Sequence, residues 1–242
     1  MKNYNITVIL PVINETSSLI ETIKLIDENN FKNKIVKILI VMSEKKTSQN
    51  SKKICINLSK KFNKIDFIYQ KKPFLGGAMQ DAFNAITTSH CIMMSSDLET
   101  NPNSLKEMIK ASYDNKESII TASRWISKGA FVNYGSFKVF LNFIFQKIFS
   151  TLYNTKLNDL TFGFRIFPTE VVKKINWEML DHSFLFETII KPLKIGINVI
   201  QVPSNWINRK EGVSNNNILN YFKYLYIGIK IYLINKNKIF KK

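Results

Sequence analysis

The chain has 242 residues, of which 45% are hydrophobic, and its 35 Lys and Arg against 18 Asp and Glu give a formal net charge of +17. This length and composition predict one medium-large domain with a substantial core, and eight Gly and six Pro exclude a collagen-like or disordered chain. The excess positive charge indicates an anionic partner such as nucleic acid, anionic lipid or a phosphorylated substrate, unless it only reflects a composition rich in Lys, Asn and Ile.

Strands and helices are predicted to alternate through the first half of the chain. Short β-branched apolar runs predict strands, and apolar residues spaced three or four apart predict the helices between them. The strands are expected at 6–10, 35–41, 65–69, 90–94 and 118–122, and the helices around 19–26, 54–62, 76–85 and 105–113. This alternation predicts an α/β fold, in which helices cover both faces of a mostly parallel sheet.

Cysteine and histidine content limits the chemistry that the chain can perform. Cys55 and Cys91 are too few for a disulfide framework, and both lie in patterns typical of buried positions. His90 and His182 are far apart in sequence, so that a zinc site is not expected. Residues 1–6 lead directly into a predicted strand without the pattern of a signal peptide, which favours the cytoplasm.

Two later segments, 137–153 and 218–234, are crowded with aromatic residues. Each is near the length that spans a membrane but is interrupted by lysines, so neither is predicted to span one. The second segment has an apolar stripe at helical spacing, formed by Phe222, Leu225, Ile229 and Leu233. Such a helix lies in a membrane interface, or else packs on the domain core or on a partner subunit.

The most informative side chains are Asp97 and Glu99, which follow the apolar run 91–94. Ligands of open α/β sheets bind at the carboxyl ends of the strands, where these carboxylates are predicted to lie. Two carboxylates there offer oxygen ligands to Mg²⁺ or Mn²⁺, which in turn hold a diphosphate. The alternative is an acidic loop that is simply solvated.

Six segments, in order along the chain, resemble the motifs of family 2 glycosyltransferases with the GT-A nucleotide-sugar fold. Pro11-Val-Ile-Asn-Glu15 resembles the Pro-x-x-Asn-Glu start of that family. Leu75-Gly-Gly-Ala78 resembles its Gly-Leu-Gly-x-Ala turn, with Phe74 at the position of the first Gly. Ser95-Ser-Asp-Leu-Glu99 resembles the Asp-Ala-Asp-Leu-Gln segment of dolichyl-phosphate mannose synthases.

The other three segments also resemble dolichyl-phosphate mannose synthases. Residues 123–129 are similar to Ser-Arg-Tyr-x-x-x-Gly, residues 158–165 to Asp-x-Thr-x-Gly-Phe-Arg, and residues 209–214 to the start of Arg-x-x-Gly-x-Ser-Lys. The resemblance implies a GT-A catalytic domain over residues 1–214. It leaves residues 215–242 as a basic amphipathic C-terminal helix and tail.

Three departures from the family pattern concern the donor. The second strand ends Val41-Met-Ser-Glu44, where the family usually has Val-Asp-Asp, whose acids help to hold the nucleoside. Glu44 is the expected substitute, unless the base differs from uracil or guanine. Ser95 replaces the first acid of the metal motif, and Asn215 replaces the closing Lys, which removes one phosphate contact.

The resemblance implies a metal-dependent, inverting transfer of a sugar from a nucleotide-diphosphate sugar to a polyprenyl phosphate. Asp97 and Glu99 are the expected ligands of Mg²⁺ or Mn²⁺, and Asp97 is thereby catalytic. Arg124 and Arg209 are expected to bind phosphate oxygens as catalytic residues, because guanidinium matches those oxygens bidentately. The expected substrate-binding residues are Pro11, Asn14, Glu15, Glu44, Gly76, Ser96, Arg165 and Ser214.

The acceptor decides whether a general base is needed. A lipid phosphate is already ionised near neutral pH, whereas a saccharide hydroxyl needs a base within hydrogen-bonding reach. Asp159 is the first candidate for that base and Glu187 the second.

The predicted setting is the cytoplasmic face of a membrane, with peripheral contact through the basic surface and the aromatic helices; an oligomer is compatible with this. The alternatives are transfer to a saccharide hydroxyl for capsule or lipopolysaccharide, a non-catalytic scaffold, and a nucleic-acid-binding module. No nucleic-acid motif is present in the sequence, so nucleic acid is not the expected partner.

Overall fold

The computed structural model describes residues 4–126, 135–206, 211 and 219–241. Within them, seven strands form one sheet in the order β3-β2-β1-β4-β6-β5-β7. The strands are β1 (Ile6–Val12), β2 (Ile35–Met42), β3 (Ile65–Tyr69), β4 (His90–Met93), β5 (Ile119–Ser123), β6 (Arg165–Pro168) and β7 (Val199–Pro203).

Eight α-helices surround the sheet in the same residues. They are α1 (Ser17–Glu28), α2 (Gln49–Lys61), α3 (Phe74–Ala85), α4 (Leu105–Asp114), α5 (Ser136–Leu152), α6 (Thr169–Lys174), α7 (Phe184–Lys194) and α8 (Leu219–Leu233). The predicted α/β architecture is confirmed, and most of the helices and strands predicted in the first half begin and end within about three residues of their predicted limits.

The sheet is parallel except at β6. β1 pairs with β2 and β4, β2 pairs with β3, and β5 pairs with β7, all in parallel register. β6 runs antiparallel between β4 and β5 and places Arg165 opposite Met93 and Thr121. The amino end of β6 therefore lies at the sheet edge where β4 and β5 have their carboxyl ends, and the site is built at that edge.

Both faces of the sheet are buried, which explains why its strands read as continuous apolar runs. Val8 and Leu10 of β1 pack into one core cluster, and Ile9 between them packs into another on the opposite face. This alternation follows from the two-residue repeat of a strand.

A third core cluster joins α5, α7 and α8. Its buried side chains are Phe145, Phe149, Leu157, Leu160, Phe186, Ile189, Ile190, Ile227 and Ile231. α8 lies close to α5 at Gly228, where an added Cβ would come within 2.1 Å of Phe149 Cε1. None of the helices in the described ranges has the length and apolarity that a bilayer crossing requires.

Candidate active site

The two predicted metal ligands lie in a tight turn after β4. Asp97 Oδ1 accepts the backbone N–H of Glu99 at 3.0 Å, and Leu98 between them has a φ of +69°. Asp97 is only 6% exposed, and Glu99 is half-buried. The turn therefore holds both carboxylates at the edge where ligands of α/β sheets bind.

Ser95 closes this loop instead of supplying a carboxylate. Its backbone N–H donates to Thr100 Oγ1 at 3.0 Å, and the backbone N–H of Thr100 donates to Ser95 Oγ at 3.1 Å. Ser96 donates its hydroxyl to the carbonyl of Pro11 at 2.5 Å, which joins the loop to the end of β1. The structure thus brings together the predicted substrate-binding residues Pro11 and Ser96, because the Ser96 hydroxyl is hydrogen-bonded to the Pro11 carbonyl.

Asn14, Glu15 and Glu44 lie on the neighbouring loops. Glu15 Oε2 accepts the N–H groups of Ile13 at 2.7 Å and Asn14 at 3.0 Å, so this carboxylate shapes its own loop. Asn14 and Glu44 are exposed. The backbone N–H of Ser48 donates a hydrogen bond to the Ile13 carbonyl at 2.8 Å. This hydrogen bond holds the loop that carries Glu44 against the loop after β1.

Gly76 has a packing reason to be glycine. An added Cβ would lie 2.4 Å from the carbonyl oxygen of Met179, so only glycine permits this approach of α3 to the segment 179–180. Two hydrogen bonds fix that contact: Gly77 N–H donates to the Leu180 carbonyl, and Gln80 Nε2 donates to the Met179 carbonyl. A contact between Gly76 and substrate stays a prediction.

Arg124 and Asp159 form a buried bidentate ion pair. Arg124 Nε and Nη2 each lie 2.8 Å from a different oxygen of the Asp159 carboxylate. The same carboxylate accepts the backbone N–H groups of Arg124 and Phe162 and is fully buried. The prediction that Asp159 is a general base is therefore not supported, because its oxygens hold Arg124. A direct contact of Arg124 with phosphate stays a prediction.

Arg165 is a core residue, which corrects the prediction that it binds substrate. The guanidinium is fully buried, and burial lowers its pKa to about 9, against the opposing effect of the Asp159 carboxylate, so that it stays protonated at neutral pH. All three guanidinium nitrogens donate to protein oxygens: the hydroxyls of Thr121 and Thr188 and the carbonyls of Leu160 and Leu185. These bonds join β5, β6 and α7.

Glu187, the second candidate base, is also a buried side chain that forms an ion pair within the protein. It is fully buried, lies 2.6 Å from Lys191 Nζ, and accepts the N–H groups of Glu178 and Met179. Its carboxylate therefore fixes the segment that packs on Gly76, and a role as base is not supported.

Arg209 and Ser214 lie outside the described residues, but Glu211 between them is described. Its carboxylate accepts the backbone N–H and the hydroxyl of Thr16, Ser17 and Ser18 at distances of 2.7–3.3 Å. The hydrogen bond from Thr16 N–H, followed by the hydroxyls, holds the pKa of Glu211 well below its usual range. The sequence prediction missed this contact, although three consecutive hydroxyl residues at a helix start were a visible signal.

The sequence analysis also did not identify two side-chain amides on α5, those of Gln146 and Asn142, as part of the site. Gln146 Oε1 accepts the N–H of Leu160 at 2.8 Å, and Gln146 Nε2 donates to Thr161 Oγ1 at 3.0 Å, which also accepts from Arg124 Nη2. Asn142 Oδ1 accepts from Trp125 Nε1 at 3.3 Å. α5 thus turns buried amides towards the Arg124 ion pair.

We use the name apolar face for the exposed apolar side chains of the neighbouring helices α5 and α8. Its members are each between 39% and 73% exposed: Phe137, Phe140, Phe143, Ile144 and Ile148 of α5, and Phe222, Tyr226, Ile229 and Leu233 of α8. Surface helices normally bury their apolar side chains and expose their polar ones, so α5 departs from the usual arrangement.

The donor chemistry at the end of β4 fits a hard divalent cation. Asp97 and Glu99 supply carboxylate oxygens, and Mg²⁺ is commonly held by one or two carboxylates together with substrate phosphates and water. Among the residues that the structure describes, no set of three His, Cys, Asp or Glu side chains is placed to hold a metal ion. A cation bound here therefore needs oxygens from the diphosphate to complete its coordination.

Comparison with known proteins identifies the family and the fold of the chain. A family model described as Glycosyl transferase family 2 matches residues 7–176. Among solved structures, the chain is similar to glucosyl-3-phosphoglycerate synthase from Mycobacterium tuberculosis in complex with Mn²⁺, uridine diphosphate and phosphoglyceric acid. That match has a TM-score of 0.72 at 11% identity and covers 96% of this chain and 80% of the other.

A second structure of that mycobacterial enzyme, with Mn²⁺, UDP-glucose and glycerol 3-phosphate, matches with a TM-score of 0.69. Its identity is 11%, and the match covers 96% of this chain and 82% of the other. At this identity, the likeness establishes the fold, which is the α/β GT-A fold.

Proposed function

Because the chain belongs to glycosyl transferase family 2 and is a glycosyltransferase, we propose that it moves a sugar from a nucleotide-diphosphate donor to a polyprenyl phosphate at a membrane surface. The observation that carries this proposal is the apolar face of α5 and α8. A lipid-borne acceptor requires an enzyme that can rest on the bilayer, and exposed aromatic and aliphatic side chains favour that position.

The construction of α5 supports a lipid-facing role. The helix buries Asn142 and Gln146 beside the Arg124–Asp159 pair while it exposes Phe140 and Ile144. Large exposed apolar patches mark interaction surfaces, and here the patch lies one helix thickness from the buried ion pair. A lipid headgroup at this surface therefore lies near the site while its chain stays in the bilayer.

Basic residues accompany the apolar face. Lys147, Lys236 and Lys238 are exposed on α5 and after α8, whereas Lys223 and Lys230 form ion pairs with Asp181 and Glu178. An exposed lysine near an anionic bilayer contributes about 1 kcal/mol of binding. The net charge of +17 acts in the same direction.

A phosphate acceptor also fits the absence of a base at the two expected positions. Asp159 and Glu187 are fully buried in ion pairs with Arg124 and Lys191. A phosphomonoester has a second pKa of about 6, so it attacks as an ionised oxygen without giving up a proton. This favours lipid phosphate over a saccharide hydroxyl.

On the donor side, Asp97 and Glu99 would hold Mg²⁺ or Mn²⁺. The bound ion supplies Lewis-acid stabilisation of the charge that develops on the departing diphosphate. Arg124, held rigid by Asp159, is the proposed cationic contact to phosphate, with Arg209 as a second. The acceptor attacks the anomeric carbon from the opposite side, so that the configuration inverts.

The acceptor is tested with three substrates under one set of conditions. Purified protein with Mn²⁺ and a panel of labelled nucleotide sugars receives polyprenyl phosphate in vesicles, a soluble oligosaccharide, or phosphoglycerate. We expect label to enter the lipid phase only with polyprenyl phosphate. Transfer to the oligosaccharide alone would instead identify a saccharide-directed enzyme, and transfer to phosphoglycerate alone a soluble phosphate acceptor.

Asp97→Asn tests the metal site in the same assay. We expect turnover to fall at least about 100-fold, because the lost interaction is of the order of several kcal/mol in the transition state. Calorimetry should show that Mn²⁺ no longer strengthens nucleoside diphosphate binding. Full turnover in this variant would remove the carboxylate from the mechanism, and Asp114→Asn on α4 is the control.

A further inference from the structure

Phe74, at the position of the first family Gly, adopts an unusual backbone conformation. Its φ is +61°, in the left-handed region that bulky side chains rarely adopt, and its side chain is 56% exposed. Gln70 Nε2 donates to the Phe74 carbonyl at 3.2 Å and to the Lys72 carbonyl at 2.6 Å, which fixes the turn. A strained backbone and an exposed ring together call for an explanation beyond packing.

Lys46 comes from a different loop and lies over the same ring. Its Nζ is 4.8 Å from the centroid of the Phe74 ring. The loop is anchored to the end of β1, because Thr47 Oγ1 donates to the Val12 carbonyl and Ser48 N–H to the Ile13 carbonyl, both at 2.8 Å. The ring and the ammonium group therefore meet at the carboxyl edge of β2 and β3, beside the loop that contains Asn14 and Glu15.

The distance from this pair to Asp97 and Glu99 suits an extended nucleoside diphosphate. β3, β2, β1 and β4 are consecutive in the sheet, so three strand spacings of about 4.8 Å place the Phe74 loop roughly 14 Å from the carboxylates after β4. An extended nucleoside diphosphate can bridge such a distance, with its phosphates at Asp97 and Glu99. The base then lies at the carboxyl ends of β2 and β3, beside the exposed Phe74 ring.

We propose that Phe74 and Lys46 form the platform on which the nucleobase of the donor stacks, in place of carboxylate contacts. This inference rests on the proposed function. Stacking on an aromatic ring accepts any base, because every base has a π-face. The platform therefore predicts that the affinities for UDP, GDP and ADP differ only a few-fold from one another.

The test compares ligands with and without a base. Wild type, Phe74→Ala and Phe74→Gly are titrated with UDP, GDP and inorganic pyrophosphate in the presence of Mn²⁺. Loss of one stacked base weakens binding about fivefold or more, so both variants should lose this affinity for the nucleotides and keep wild-type affinity for pyrophosphate. Phe74→Gly should also raise the melting temperature, because glycine adopts a positive φ without strain.

A matched control is available at the end of α2. Lys61 Nζ lies 5.4 Å from the centroid of the exposed Phe62 ring, which makes this a second pair of the same kind away from the site. Phe62→Ala should leave all three affinities unchanged. Lys46→Ala should weaken nucleotide binding less than Phe74→Ala does.

The outcomes separate this inference from the proposed function. If wild type binds nucleotides and the Phe74 variants bind them equally well, the platform is wrong and the glycosyltransferase proposal stands. Equal weakening for pyrophosphate and nucleotides would mean that Phe74 only supports the fold, which also overturns the platform. If wild type binds pyrophosphate but no nucleotide, the nucleotide-sugar donor itself is wrong.

Discussion

Within the described residues, the two halves of the molecule differ in their buried ion pairs and in the extent of their exposed apolar surface. In the N-terminal half, residues 4–114, ion pairs such as Lys37–Asp66 lie at the surface, and apolar side chains fill both faces of the sheet. In the C-terminal half, residues 119–241, the Arg124–Asp159 and Lys191–Glu187 pairs are buried, and aromatic rings are exposed. Among the residues that the structure describes, the second half has the larger set of exposed aromatic and aliphatic side chains.

Helices α4 and α5 show this difference most directly. α4 buries Leu105, Met108 and Ile109 and exposes its charged residues, as expected of a helix in water. α5 buries Asn142 and Gln146 along with two phenylalanines and exposes five apolar side chains. The two helices therefore differ in which side chains they expose, and the apolar surface of α5 is the feature on which the proposed lipid contact depends.

Removal of a buried charge partner should have the largest effect on stability. Asp159→Asn leaves the Arg124 guanidinium buried without its counter-charge, so we expect the free energy of unfolding to fall by about 3–5 kcal/mol. Urea denaturation of both proteins measures this difference. Asp66→Asn, which breaks the exposed pair with Lys37 in the N-terminal half, is the control and should cost less than about 1 kcal/mol.

The same variant distinguishes a base from a positioning residue. If Asp159 is the catalytic base, Asp159→Asn loses turnover while its unfolding midpoint stays near that of wild type. Our account expects both turnover and the unfolding midpoint to fall, because Asp159 positions Arg124, the proposed contact to phosphate, and it expects the stability loss whether or not substrate is added.

A smaller effect is expected where α8 packs on α5. Gly228→Ala would place a Cβ 2.1 Å from a ring atom of the fully buried Phe149, so the helices must separate or the ring must move. Such overpacking costs about 1–3 kcal/mol, and we expect a lower melting temperature together with weaker vesicle binding. Gly135→Ala at the N-cap of α5 is the control, since no atom lies within 4 Å of its added Cβ, and the exchange of an N-cap Gly for Ala should cost less than about 1 kcal/mol. Equal melting temperatures for both variants would contradict the close packing of α8.

The smallest effect concerns a contact between the two halves, from Glu211 to the start of α1. Because hydrogen bonds from Thr16, Ser18 and Ser17 lower its pKa in the folded state, Glu211 adds stability above its unfolded pKa of about 4.3 and loses it as the pH falls below that value. Glu211→Gln should therefore be less stable than wild type at pH 7, by at most about 1 kcal/mol for so solvent-accessible a group. The difference should shrink below pH 4, and a constant difference from pH 7 to pH 3 would contradict this assignment.

The N-terminal half was largely predictable from the sequence because its signals are local. Apolar runs such as 35–41 and 65–69 are long and clearly bounded, and each became a strand within one residue of its predicted limits. β6 has only four residues and pairs antiparallel with β4, which lies more than 70 positions away in the sequence. A local sequence pattern does not predict such a long-range pairing. β7, α6 and α7 were not predicted, although Phe186, Ile189, Ile190 and Leu193 of α7 recur at helical spacing.

The site shows where motif positions stop being informative. The motifs pointed to the sheet edge at which Pro11, Ser96 and Asp97 lie, and the roles of these residues stay predictions. They did not reveal whether a charged side chain faces the ligand or the core. That depends on which hydrogen-bonding groups from distant parts of the chain lie beside it in the folded protein. Arg165 and Asp159 carry motif positions, yet their hydrogen bonds are made within the protein.

The central claim is that the apolar face rests on lipid, and vesicle flotation tests it most directly. Phe140→Ser with Phe222→Ser removes one exposed ring from each helix, and Ile20→Ser on α1 removes an apolar side chain of similar exposure from the N-terminal half. We predict that wild type and Ile20→Ser float with anionic vesicles and that the double variant loses at least about tenfold in partitioning, since each ring buried in lipid contributes about 1.5–3 kcal/mol. Equal flotation of all three proteins, or no flotation of wild type, would contradict the account.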